Sequence, residues 1–142
     1  LKIESVMTRH VEFAGAEDPA SELAVMMGDL DVGGLPIGSE SEILGVVTDR
    51  DILYRVVARG LDPKAVTATD IMSTPVIGCR RDDSIQTAMD LMGAHRVRRL
   101  VVRDEAGAVV GWVTLADLSR KLLVESQTVQ SALQDLSRES AG

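Results

Sequence analysis

Thr48 and Asp51 stand three residues apart, and Thr114 and Asp117 repeat that spacing sixty-six residues later. Each pair closes an apolar stretch, in GVVTDRD at 45–51 and GWVTLAD at 111–117. An apolar run that ends on Thr reads as a strand passing into the start of a helix. The first helical turn leaves backbone N–H groups unpaired at the positive end of the helix dipole. Two chemistries fit that place. In one, Thr and Asp satisfy the N–H groups as a capping box. In the other, the N–H groups and the Thr hydroxyl take a phosphate, and the acceptor-only carboxylate takes the two adjacent hydroxyls of a ribose. Either phrase alone is explained by a cap. Two copies in register give weight to a nucleotide site, and the two roles are compatible.

The elements that carry these phrases are themselves repeated. Val6-Met7-Thr8 lies over Ile71-Met72-Ser73 at an offset of sixty-five, with Asp18 over Asp83, Met27-Gly28 over Met92-Gly93, Val32 over Val97 and Leu35 over Leu100. After a one-residue insertion, Gly45, Val47, Thr48 and Asp51 fall on Gly111, Val113, Thr114 and Asp117. Matches kept in step over so much of the chain mark an internal duplication, and two copies predict two facing lobes rather than a solenoid.

Each copy predicts the same order. A short strand is expected at 11–14 and at 76–79. An amphipathic helix follows, on the spacing of Leu23, Met26, Met27 and Leu30 and of Ile85, Ala88, Met89 and Met92. Asp18-Pro19 predicts an N-cap followed by Pro at the first helical position. Strands at 35–37 and 43–47, and at 100–102 and 109–113, flank the polar loops GSESE and RDEAGA. The second helix of copy one is expected to reach about Arg59 and stop at Gly60, with Pro63 in the connection. In copy two the helix from 115 either runs on or breaks near Ser126, and Val129, Leu133 and Leu136 predict a helical tail over 127–138. The expected architecture is α/β: two pseudo-symmetric β-α-β-β-α lobes packed through their small sheets, plus a short C-terminal helix. The segments are lobe one at 1–60, a linker at 61–66, lobe two at 67–124 and a tail at 125–142.

This order, with VMT or IMS in front and glycine, two apolar residues and T-x-x-D near the end, resembles the cystathionine β-synthase (CBS) domain. Two in tandem resemble a CBS pair, or Bateman module, over residues 3–123. VVTDRDI and RGLDP are particularly similar to short stand-alone bacterial CBS pairs. The resemblance implies adenosine ligands, AMP or ATP, held between the lobes. By position, Asp51 and Asp117 hold ribose and Thr48 and Thr114 help to hold phosphate. The base lies against backbone near Val11 and Val76, with Ile37 and Val102 as apolar walls. The resemblance also implies a homodimer formed through helices, and an effector protein or fused domain as the recipient of the signal. A dimerisation scaffold without a nucleotide is the alternative, and a catalytic role is not expected.

The copies differ where copy two reads HRVRRLVV and copy one reads LDVGGLPI. Arg96, Arg98 and Arg99 therefore align with Asp31, Gly33 and Gly34. An arginine cluster suits a solvated turn, or it suits phosphate through paired guanidinium donors. In a kinase regulatory subunit built of CBS repeats, basic residues at the places of Arg98 and Arg99 contact phosphate, so the resemblance favours the second reading for those two. Arg50 could reach either phosphate or solvent. Two clefts of unequal affinity are expected, the arginine-bearing one preferring more phosphate.

The totals narrow the partners. A net charge of -7 over 142 residues disfavours a broad nucleic-acid or anionic-membrane surface. The only aromatics are Phe13, Tyr54 and Trp112, so the core must be aliphatic. Cys79 is alone and is expected as a small core residue, with no disulfide. His10 and His95 lack metal-ligand spacing, and no metal or required cofactor is expected. No apolar run approaches a membrane span, no signal pattern opens the chain, and a cytoplasmic location is expected. The sequence starts at Leu1, as a trimmed chain or part of a longer one would.

Overall fold

The computed structural model describes residues 1–141, with side chains through Leu136. A short 3-10 turn, Ile3–Ser5, precedes α1 (Ala20–Leu30), β1 (Gly34–Gly38), β2 (Ile43–Thr48) and α2 (Asp49–Ile52). Then follow α3 (Ala68–Ile71), β3 (Gly78–Arg80), α4 (Ile85–His95), β4 (Arg99–Arg103), β5 (Val109–Thr114) and α5 (Leu115–Ala141). β1 and β2 form an antiparallel hairpin; β4 and β5 form a second, which β3 joins in parallel.

Two aliphatic cores follow from strand alternation, which sends every second side chain to the same face. Leu35, Ile37 and Val47 pack with Leu23 and Met27 of α1 in the first; Leu100, Val102 and Val113 pack with Ile85, Ala88 and Met92 of α4 in the second. The other faces of the two sheets meet. Val101, Val109 and Trp112 are buried there, with Val11, Phe13, Ile43, Val46 and Val76 against them. The halves thus pack through their small sheets, as the repeat predicts.

The front segment of each repeat crosses to the other half. Ile3 is fully buried among Cys79, Ile85 and Leu118, and its N–H donates to the Asp83 carbonyl at 2.8 Å. Ala68 and Ile71 are buried with Leu23 and Val56. The crossing explains the repeated Met and Gly. Met72 Sδ lies 2.6 Å from where a Cβ on Gly45 would sit, and Met7 Sδ lies 2.5 Å from the same point on Gly111. Segment order in the sequence says nothing of this exchange, because hydrophobic spacing marks a buried face and not its neighbour.

Several local expectations shift. The strand expected at 11–14 is a single parallel bridge, Ala14 to Ile37, and its counterpart starts later, at Gly78. Pro19, not Asp18, is the N-cap of α1; the Asp18 carboxylate instead accepts the Gly15 N–H at 2.7 Å and closes a turn. α2 widens over Leu53–Val57 into i→i+5 bonding, with the Ala58 N–H donating to the Leu53 carbonyl at 2.9 Å. Its chain then turns at Gly60 with φ +66°. The front segment of the second repeat forms α3, whose Thr67 and Asp70 make a capping box. The tail is not a separate helix: α5 runs unbroken past Ser126, and Val129, Leu133 and Leu136 are exposed along it.

Substituting Gly111 by Ala should cost about 1–3 kcal/mol, since the new methyl meets Met7 and the Thr8 carbonyl. Gly28→Ala and Gly93→Ala, in the last turns of α1 and α4 with open space around them, should gain about 0.5–1 kcal/mol. Urea melts of the three variants check both signs.

Burial, and then the nearby Asp83 charge, push the Cys79 thiol from its ordinary 9.0 up to about 11. The unfolded thiol ionises first, so this group's contribution to stability is intact below about pH 9 and lost as pH rises toward 11. Iodoacetamide at pH 8 should label Cys79 in urea and spare it in the folded protein. Rapid labelling without denaturant would contradict the burial.

Candidate nucleotide cleft

Thr48 ends β2 in an extended conformation and caps α2. The Asp51 N–H donates to Thr48 Oγ1 at 3.2 Å, and the Thr48 N–H donates to Asp51 Oδ2 at 2.9 Å. The second phrase does the same. The Asp117 N–H donates to Thr114 Oγ1 at 3.1 Å and the Thr114 N–H to Asp117 Oδ2 at 3.1 Å. Both are therefore capping boxes. In each, the Thr hydroxyl acts as acceptor, so its own proton remains available to a ligand.

The two carboxylates differ in what holds their other oxygen. Asp51 is 8% exposed. Its Oδ1 accepts from Ser73 Oγ at 3.1 Å and lies 3.8 Å from Arg55 Nε. Arg55 is itself fixed by the Ile71 and Met72 carbonyls. Asp117 Oδ1 instead pairs with Arg120, one turn along α5, at 2.5 Å. Asp51 is thus seated by the crossing segment, and Asp117 by its own helix.

A cleft of about 490 Å³ opens beside Thr48 and Asp51. Its far wall comes from the second half: Arg96, Arg98, Arg99 and Val101, with Pro75, Val76 and Ile77 below. Arg50 lies at its edge and stacks over the Tyr54 ring, 5.2 Å from the centroid. The arginines therefore face the phrase of the opposite repeat. Among the described residues, no hydrogen bond or ion pair engages the side chains of Arg96, Arg98 or Arg99. These three arginines and Arg50 share the cleft with the carboxylates of Asp49 and Asp51, an excess of positive charge that favours an anion.

Arg96 adds a conformational clue. It follows α4 with φ 55°, in the left-handed region that side chains seldom adopt. Its repeat counterpart Asp31 ends α1 in the same way, with φ 53°. The helix-end turn accounts for the geometry, and at Arg96 it also carries a guanidinium to the cleft.

Thr48, Asp51, Arg50, Arg98, Arg99 and Val76 come together in this cleft. Thr114 and Asp117 lie on the other phrase, outside it, and Val11 packs between the sheets with Trp112. Ile37 and Val102 are fully buried in the two cores and line no wall of the cleft. Strand parity explains this: Val101, one residue from Val102, points to the cleft side. Ser73, which buttresses Asp51, was marked in the sequence only by its alignment with Thr8.

The chain matches the CBS domain twice, at residues 3–58 and 68–124. The chain belongs to the CBS domain family. It is a CBS pair, a regulatory module of the Bateman type. It is 34% identical over 119 residues to the uncharacterized protein MK0525 of Methanopyrus kandleri, covering 83% of this chain and 61% of that one. It is 36% identical over 118 residues to hypoxic response protein 1 of Mycobacterium tuberculosis, covering 82% of each. A solved structure of Hypoxic Response Protein I with two coordinated zinc ions superposes with a TM-score of 0.74 at 34% identity, covering 84% of this chain and 98% of that one. In the present CBS pair, no group of three metal-binding side chains occurs among the described residues. No described helix is long and apolar enough to cross a membrane.

Arg96→Gly should raise stability by about 1 kcal/mol, because glycine adopts the left-handed turn without a Cβ penalty. The same variant should bind anions less tightly. A thermal melt beside a triphosphate titration reads both, and a fall in melting temperature would show that Arg96 supports the fold by contacts of its own.

Proposed function

We propose that this CBS pair senses adenosine nucleotides, AMP, ADP or ATP, in the cleft between its halves. The observation that carries the reading is a meeting of two unlike parts. The Thr48–Asp51 phrase comes from one half, and three arginines that make no ion pair among the described residues come from the other. Asp51 retains acceptor capacity for ribose hydroxyls, Thr48 donates to phosphate, and Arg96, Arg98 and Arg99 neutralise it. The base rests near Val76. A volume near 490 Å³ is within the range of small-molecule sites.

A ligand so placed touches both halves at once. It acts by preferring one relation between them, since only differential affinity shifts an equilibrium. The recipient of that shift is an effector protein or a fused domain, and the module itself performs no chemistry. The second phrase offers less to phosphate: Ala116 stands where Arg50 does, and Asp31, Gly33 and Gly34 stand where the arginines do. Its site is therefore the weaker one. Self-association belongs to the same reading, through the exposed Leu53, Tyr54 and Val57 near α2 and Leu122, Leu123 and Val124 on α5. A cytoplasmic setting fits a nucleotide sensor.

Calorimetry should find ATP bound more tightly than AMP, and AMP more tightly than adenosine, with one dominant site. Arg98→Ala should weaken ATP about tenfold, and Asp51→Asn should weaken all three ligands. Two equal and independent ATP sites would refute the asymmetry. A melting temperature unmoved by millimolar AMP, ADP and ATP would favour a scaffold without a nucleotide.

A further inference from the structure

Arg99 begins β4, and its repeat counterpart Gly34 begins β1. Within their hairpins Arg99 pairs with Thr114 and Gly34 with Thr48. The arginine side chain nevertheless crosses to the other half and lies on the backbone at 33–34. Its Cδ and Nε are 3.1 and 3.2 Å from the point that a Cβ on Gly34 would occupy. Its Cζ is 3.3 Å from the matching point on Gly33, and a terminal nitrogen overlaps that point. Neither glycine has a positive φ. The backbone does not require glycine at 33 and 34; the space taken by Arg99 does, together at Gly33 with Asp49 Oδ2, 3.3 Å from the same point.

This floor is fixed to the nucleotide cleft. The Gly33 carbonyl accepts the Asp49 N–H at 2.9 Å, tying it to the turn between Thr48 and Asp51. In the other half the Arg98 carbonyl accepts the Leu115 N–H at 2.8 Å, by the same rule of the repeat. One hydrogen bond thus sets the floor and its twin sets the base of the arginine pair. Arg99 is held in the cleft by shape, without an ion pair among the described residues. A guanidinium packed close against the chain at 33–34, with no hydrogen bond of its own among the described residues, loses little further freedom when an anion arrives.

Resting on the nucleotide reading above, we infer that Gly33 and Gly34 are the seat of Arg99, and that this seat sets the cleft's preference for phosphorylated over unphosphorylated adenosine. The glycines act by positioning; they touch the arginine and not the ligand. Copy one carries glycine opposite the arginines because a side chain there would lift the guanidinium off its floor.

The test compares Gly33→Ala, Gly34→Ala, Arg99→Ala and the double variant of Gly33→Ala with Arg99→Ala. Affinities for ATP and adenosine are measured by calorimetry, beside thermal melts. The added methyl meets chiefly a flexible arginine, so both glycine variants should stay folded. ATP affinity should fall about tenfold in each single variant, while adenosine stays within about twofold. In the Arg99→Ala background, Gly33→Ala should add no further loss, because the two act through one contact. Wild-type ATP affinity in both folded glycine variants would overturn the seat. So would equal losses for ATP and adenosine, or additive losses in the double variant. A wild-type protein that binds no adenine nucleotide would overturn the nucleotide reading itself, and the seat with it.

Discussion

Met72 lies against Gly45 and Met7 against Gly111, so each half of the chain holds the sheet of the other. Everything else depends on this exchange. A lobe of some sixty residues buries too little surface to be secure alone. Here each lobe completes its core with a segment that belongs, by sequence, to its twin. The same segment that brings Ile71 and Met72 to the first half brings Ser73 to Asp51. Core and cleft are therefore built by one crossing, and the carboxylate is oriented by a residue that arrives from across the chain.

The exchange also makes the cleft composite. A site inside one lobe would be indifferent to where the other lobe stands. Thr48 and Asp51 depend on one half and Arg96, Arg98 and Arg99 on the other, so the shape of the site measures the relation of the two. The inter-sheet layer of Val101, Val109 and Trp112 fixes that relation in the absence of ligand. It is aliphatic apart from Trp112 and Phe13, which suits an interface that must be firm without being locked by polar pairs.

Much of this was legible in the residues. The duplicated T-x-x-D gave both capping boxes, and the apolar residues read at helical spacing all fall within the two amphipathic helices α1 and α4. What failed was parity and partnership. Ile37 and Val102 are apolar strand residues next to a cleft, yet the pleat turns them into the cores and turns Val101 outward. Asp18 before Pro19 has the signature of an N-cap, and a local turn at Gly15 took the carboxylate instead. The destination of Ile3 and Ile71 had no signal, because an apolar residue in sequence names no neighbour. The facing of the arginines toward the opposite phrase had none either; it follows from the pseudo-symmetric pairing of the halves. At Gly33 and Gly34 the sequence showed only a difference between copies, and the reason is a side chain sixty-five or more residues away.

The exchange has a bearing on how the protein is made. Ile3 precedes the rest of its own half in the sequence, but its pocket is closed by Leu118 of α5, which follows the strands of the other half. The first half, for its part, waits for Ala68 and Ile71 before its core is filled. Synthesis from the N-terminus therefore yields a first lobe that can complete itself while its own leading segment is still unplaced. Docking of Ile3 must wait until the sheet of the second half exists. Contacts this distant in sequence slow the search for the native state, and they make the folding of each half depend on the other.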